Sequence, residues 1–191
     1  MNNLSQYAVK VVNWLVLLSP ISIQAALPHW EIDAQQSSII FTAVLNNAPV
    51  KGQFKAFQGD ILFDPNQLEQ SHIEITVDMG SVFTSYNQIA NTLKNNDWFD
   101  VKDFPKAIFK ADKINKQGNN DYVANGSLTI KNKTMPIDVK FTVDNISQDK
   151  LKATGTTTIK RTAFDVGQGE WADIKEVKDD VKVNFKLELK K

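Results

Sequence analysis

The sequence predicts an all-β fold, an eight-stranded antiparallel barrel with one short helical insertion. Three observations lead there. Apolar and polar residues alternate with period two along most of the chain beyond Ile39, the pattern of half-buried strands. The alternating runs are joined by turns of hairpin length, so successive strands pair antiparallel, and a sheet of that extent closes or folds over to hide its edges. One stretch departs from the pattern: residues 86–95 contain no Gly or Pro and set Ile89 and Leu93 at helical spacing.

Taken in order, residues 1–25 read as an export signal and not as part of the fold. Lys10 is the only charged residue before Glu31, an apolar run over residues 11–23 is broken by Asn13, Ser19 and Pro20, and a small-residue cleavage site follows at Ala25-Ala26. An uncleaved anchor is the alternative, although the run is short against the roughly 20 apolar residues of a spanning helix. No cysteine follows it, which excludes lipid attachment at cysteine. Residues 26–191 then form one exported, periplasmic domain, large enough to bury a core without staples.

Ile39, Phe41, Ala43 and Leu45 share a face of the first strand, and Asn46-Asn47-Ala48-Pro49 turns the chain. Residues 50–64 carry Gly52, Phe54, Phe57, Gly59, Ile61 and Phe63; the step from Phe54 to Phe57 breaks the alternation and predicts a bulge or bend. Asp64-Pro65-Asn66 turns again. Ile73, Ile75, Val77 and Met79 form the next inward face, opposite His72, Glu74, Thr76 and Asp78.

The helical stretch follows, and after it WFDVKDFPKAIFKA, residues 98–111. Trp98, Phe99 and Phe104 crowd its first half, Pro105 stops any helix, and Ala107, Phe109 and Ala111 alternate away as a strand. A connection this long in an all-β chain is expected to be a lid or a seal, with Leu93 and Trp98 lining the interior and Phe99 and Phe104 sealing it. Four more strands are predicted over residues 122–130, 137–143, 151–161 and 177–189, the first two joined at Lys131-Asn132-Lys133.

Composition removes several function classes. The chain has no cysteine, so it is held by packing alone and has no thiol chemistry. With Lys10 in the leader, 21 Lys and Arg face 22 Asp and Glu, with no basic patch for nucleic acid. His29 and His72 are the only histidines and have no spaced partner, which argues against zinc. Asp97, Asp100 and Asp103 lack the glycine and bidentate Glu of a calcium loop and read as solvated turn carboxylates. The acidic residues between Glu170 and Asp180 are interleaved with Lys175 and Lys178, which reads as a surface connection. No nucleophile elbow or nucleotide fingerprint occurs. Arg161 is the only arginine; it either anchors a polar head group or closes a local ion pair with Asp165 or Asp33, and the ion pair is favoured.

Small residues share the inward faces with the large ones: Ala43, Gly52, Gly59, Ala111, Ala124, Gly126, Ala153 and Gly155. They either make room for an apolar ligand or let the barrel curve. The residue pattern alone leaves both open.

From Trp30 onward the chain resembles the YceI-like family of lipocalin-like periplasmic proteins. The resemblance is carried, in order, by Trp30-x-Ile32-Asp33, Ser38-x-x-Phe41, Val50-x-Gly52-x-Phe54-x-x-Phe57-x-Gly59, Ile61-x-Phe63-Asp64 and Ser81-Val82-x-Thr84. It continues through Leu93 and Asp97-Trp98-Phe99-Asp100, Phe104-Pro105-x-Ala107-x-Phe109, Gly126-x-Leu128-Thr129-Ile130, Arg161-x-x-Phe164-x-Val166-Gly167, and Val181, Val183 and Phe185.

The resemblance implies a lipocalin-like barrel with a long hydrophobic pocket that holds a polyisoprenoid or another long-chain amphiphile. Such a ligand would meet Phe41, Ala43, Leu45, Phe54, Phe63, Ile75, Val77, Leu93, Trp98, Phe109, Ala124, Leu128, Phe141 and Ala153, with Arg161 as the head-group candidate. Many members carry His where this chain has Leu45, and an Arg-Asp pair where it has Ile89-Ala90-Asn91. These departures favour a neutral head, such as a quinone or an amide, over a pyrophosphate.

The resulting expectation is an exported, non-catalytic carrier or sequestering protein for a hydrophobic ligand, with no cofactor and no nucleic acid partner. Transient contact with a membrane protein and a homodimer are both compatible with it. The rivals are a structural barrel with a filled core, and an enzyme using Tyr122 or an Asp as acid or base. Amino-terminal sequencing of the native protein should find Ala26 as the first residue; an intact Met1 in a membrane fraction would overturn the export reading.

Overall fold

A computed structural model describes residues 26–191; the predicted export signal, residues 1–25, lies outside the described residues. Eleven strands form one sheet: β1 (His29–Ile32), β2 (Ser38–Leu45), β3 (Ala48–Phe54), β4 (Phe57–Leu62), β5 (His72–Asp78), β6 (Val82–Thr84), β7 (Lys106–Lys116), β8 (Asp121–Ile130), β9 (Lys133–Ile146), β10 (Lys150–Lys160) and β11 (Asp180–Lys190). One α-helix, α1 (Asn87–Leu93), follows β6.

The eleven segments occupy eight positions round a closed antiparallel barrel. β1 pairs with β4 on one side and β11 on the other, closing the ring β1-β4-β5-β7-β8-β9-β10-β11. Farther along, β11 pairs with β2, which continues to β3 and β6. Thus β1 with β2, β3 with β4, and β5 with β6 are each one barrel strand broken in two. Neither β1 nor β6 stands out in the sequence, because each is too short to show an alternating period.

The breaks have local causes. Between β3 and β4 the pleat stops at Lys55 and Ala56, the position predicted for a bulge, and the freed N–H groups of both residues donate to Ser81 Oγ at 3.2 and 3.0 Å. Ser81 stands at the break between β5 and β6, so the two bends hold each other. The β2–β3 turn is tighter than the sequence indicates. Asn46 and Asn47, at φ 49° and 62°, make a two-residue hairpin, and Pro49 lies inside β3. Asparagine tolerates the left-handed region, and Pro49 sits where β3 has no partner on its other edge, since β6 reaches only Gly52, Gln53 and Phe54.

Two groups of core residues stack along the barrel axis. One gathers Trp30, Ile61, Phe63, Ala111, Tyr122, Phe141, Leu151 and Leu189. Trp30 donates its indole N–H to the Phe63 carbonyl, and Phe63, Tyr122 and Phe141 pack at centroid separations of 5.3–6.0 Å, Tyr122 stacked on Phe141 and Phe63 edge-on to both. The other gathers Phe41, Met79, Val82, Leu93, Trp98, Ile130, Phe164, Val166 and Val177 beneath α1 and the irregular segments.

The glycines of the inward faces do not make room. A Cβ on Gly52 would strike the Phe41 ring, and one on Gly155 the Phe185 ring and the Lys140 carbonyl. Gly126 lies under the bulge of β7 between Lys110 and Lys113, where a Cβ would meet the Lys110 carbonyl. That oxygen belongs to the backbone and cannot swing aside. Gly126→Ala should therefore cost about 1–3 kcal/mol, as overpacking does, read as a lowered urea midpoint with strand content retained.

Candidate functional site

Residues of both core groups line a partly open cavity of about 250 Å³ inside the barrel. Its walls include Phe41, Ala43, Phe54, Phe63, Ile75, Val77, Leu93, Trp98, Phe109, Ala124, Leu128, Phe141 and Ala153. Leu45 does not reach it. As the last residue of β2 before the hairpin, it lies beyond Ala43, packs on the outer side of the Phe41 group and bridges to Val177. Ala43, Ala124 and Ala153 line the cavity, whereas the glycines and Ala111 do not, so alanine makes the space and glycine makes the close contacts.

The sequence reading missed several wall residues. Val139, Ile159, Val181, Val183, Leu187 and Leu189 extend the alternation of β9, β10 and β11, and their period could have found them. Phe164, Val166 and Val177 come from the segment between β10 and β11, which has no regular period. Phe99, expected as a seal, lines the cavity and packs on Phe54 at 5.9 Å. Phe104, also expected as a seal, is half-buried, belongs to neither core group and does not line the cavity.

The lining holds no Asp, Glu, His or Lys; its polar side chains are Thr157, Arg161 and the indole of Trp98. Thr157 donates its hydroxyl hydrogen to the Asp138 carbonyl at 3.0 Å. Arg161 is buried, and its five N–H groups all go to main-chain oxygens: Nε to Lys178, one terminal nitrogen to Val166 and Gly167, the other to Trp171 and Val177, at 2.8–3.3 Å. No donor remains for a head group.

The expected ion pair is absent as well. Asp165 pairs with Lys133 at 3.3 Å, and Asp33 accepts from Gln35 and Gln36. A planar fork of five donors fits a ring of carbonyls better than it fits one carboxylate, and this ring already satisfies it. Burial lowers the Arg161 pKa from its ordinary value, and Asp179 partly offsets this. Burial would raise Asp179, but its bonds from the Thr162 N–H and hydroxyl, together with Lys160 and Arg161, hold it below the usual carboxylate range.

Arg161 also stands over the Trp98 ring at 6.0 Å, and Trp98 packs on Trp171 at 5.8 Å. The Asp97 carbonyl accepts from Gly167 and Gln168, both at 2.7 Å, tying the Trp98 segment to the Arg161 segment. Gly167 has φ +78°, and a Cβ there would strike the guanidinium, so glycine is required on both counts. Trp98 Nε1 is buried and has no hydrogen-bond partner; an unpaired donor of this kind costs about 1–3 kcal/mol.

The candidate acids and bases are placed elsewhere. Tyr122 lies in the stacked aromatic group outside the lining, and burial raises its pKa, away from the range useful at neutral pH. His29 pairs with Asp60 and His72 with Asp112 on the outer surface. Asp97 and Asp100 use their carbonyls to fix the connection, Asp100 accepting from Asp103 and Phe104.

The YceI-like domain model matches residues 30–189. The chain belongs to the YceI-like family. Among its relatives, a UPF0312 protein of Shewanella putrefaciens is 28% identical over 156 residues, covering 78% of this chain and 82% of its own. One from Vibrio parahaemolyticus is 25% identical over 169 residues, covering 84% and 89%. In three dimensions the chain is similar to Burkholderia cenocepacia BcnA, with TM-score 0.78 and 34% identity over 82% of this chain and 98% of that one. A polyisoprenoid binding domain from Saccharophagus degradans shares the fold at TM-score 0.67 and 14% identity, covering 84% and 97%.

The Arg161 arrangement predicts a structural role within this YceI-like barrel. Arg161→Lys leaves at least two buried carbonyls without donors and should destabilise the protein by more than about 2 kcal/mol in urea unfolding. An arginine held ready for a head group would tolerate the change.

Proposed function

We propose that this chain is an exported, non-catalytic protein that holds a long-chain isoprenoid or similar amphiphile, quinone-like or polyprenyl, for transport, storage or sequestration in the periplasm. The observation that carries this reading is the lining: a cavity of about 250 Å³ whose walls are apolar apart from Thr157 and Arg161. Such walls do not hold water. An apolar space of this kind left without a ligand is unfavourable. A ligand chain offsets that cost, and apolar burial is then the driving force for binding.

A barrel with a filled core does not fit this interior. An enzyme is disfavoured because no carboxylate, imidazole or amine faces the cavity. The Saccharophagus domain of the same fold is described as polyisoprenoid binding, and a ligand of that kind suits these walls. A carrier of this type would exchange its ligand through transient contact with a membrane or a membrane protein.

Native mass spectrometry of the purified protein should show a co-purifying lipid, or uptake of a fluorescent isoprenoid after organic extraction. Ala153→Trp, which fills the cavity from β10, should reduce that uptake about five- to hundredfold, the range that an overpacking cost of about 1–3 kcal/mol gives. Strand content by circular dichroism should persist. No retained lipid and no uptake by the unmodified protein would overturn the proposal.

A further inference from the structure

We infer that the outer wall of the barrel over β11, β2, β3 and β6 docks on an anionic lipid bilayer, with Phe83 and Tyr86 entering the headgroup layer and Lys51, Lys55 and Lys182 meeting its phosphates. This goes beyond the lipid-holding reading above and does not depend on it, because none of these five residues lines the cavity.

Strand register puts these side chains together. Ile39, Phe41 and Ala43 of β2 line the cavity, so Ile40 and Thr42 face outward. Lys182, Thr42 and Lys51 stand in one row across β11, β2 and β3. Asn184, Ile40, Gln53 and Phe83 stand in the next row, which reaches β6. Val82 and Thr84 are buried on either side of Phe83, which turns its ring outward at 45% exposure. Lys55 Nζ lies 4.6 Å from the centroid of that ring. Tyr86, the residue before α1, is 71% exposed.

Charge separates across the barrel. The two rows hold no Asp or Glu, and Lys51, Lys55 and Lys182 form no ion pair among the described residues. Carboxylates at the borders are engaged: Asp78 accepts from the Gly80 N–H, Asp180 pairs with Lys160 and Glu188 with Lys186. Beyond the β2–β3 hairpin, Asp173 and Glu176 are matched by Lys175 and Lys178. On the opposite wall, β8 and β9 expose Asp121, Asp138 and Asp144 against Lys140. A chain with equal numbers of cations and anions thus presents one positive wall and one negative one.

Exposed aromatics beside lysines are the composition of an interfacial anchor: the rings enter the headgroup region and the long amines reach phosphates. Charge complementarity selects an anionic bilayer, since each lysine near such a surface adds to binding. The outside of a closed barrel is convex and offers no groove for a peptide. Docking here brings α1, whose Leu93 lines the cavity, to the bilayer.

Co-sedimentation with vesicles tests this. The unmodified protein should bind vesicles of phosphatidylcholine and phosphatidylglycerol in equal parts at least about tenfold more tightly than phosphatidylcholine alone. Added salt should weaken that binding. Lys51→Gln, Lys55→Gln and Lys182→Gln together should weaken it about a hundredfold, at about fivefold per lysine. The same loss of charge away from this wall, in Lys113→Gln, Lys116→Gln and Lys140→Gln together, should change it by less than about twofold, because those amines stand beyond a screening length from the bilayer. All six lysines are exposed, so both triple variants should keep their strand content. Phe83→Trp should be quenched by brominated phosphatidylglycerol beyond any quenching of the unmodified protein. Equal binding to the two kinds of vesicle, equal losses in the two lysine triples, or no added quenching would each overturn the inference. So would a dimer that Phe83→Ser returns to monomer, which would give the wall to a second copy of the chain.

Discussion

A buried arginine that makes no salt bridge organises one end of this barrel. Taking a guanidinium out of water is costly unless each N–H finds an acceptor. Arg161 meets that condition with oxygens of Val166, Gly167, Trp171, Val177 and Lys178, all from the irregular chain between β10 and β11. That chain has few regular bonds of its own, so the side chain serves as its template. The same fixed segment receives Trp98 and supplies Phe164, Val166 and Val177 to the cavity wall. Lysine, with three donors on a flexible stem, has no geometry for this task.

The wall depends equally on how the sheet is bent. An eight-stranded barrel of unbroken strands fills its interior with side chains or holds one small ligand. Here three of the eight positions are broken strands, and Ser81 ties the bends of two of them together. Glycines let Phe41 and Phe185 lie close against the sheet, while Ala43, Ala124 and Ala153 keep the space between the two core groups. Rings laid flat and short side chains opposite them leave a void where larger residues would meet.

A wall of this kind selects by length, shape and the rarity of polar groups, not by a dense set of hydrogen bonds. For any ligand held by such a wall, affinity would come from apolar area removed from water, which distinguishes poorly between chains of similar bulk. Discrimination then falls on the few polar atoms present.

By itself the sequence determined the fold class and the antiparallel order and placed thirteen of the cavity's wall residues on inward faces, because period-two alternation assigns each strand residue to a face and one face of a closed barrel must point inward. The bend after Phe54 and the helix near Leu93 were legible for the same local reasons. Tertiary structure decided what depends on contacts distant in sequence. It split strands too short to show a period, β1 and β6, and set Leu45 past the cavity's end by placing the hairpin at Asn46-Asn47. It showed that glycines face rings and carbonyls where alanines face space. It also gave Arg161 a ring of carbonyls in place of Asp165 or Asp33, since main-chain oxygens carry no signature in the residue letters and only the folded path brings five of them to one side chain.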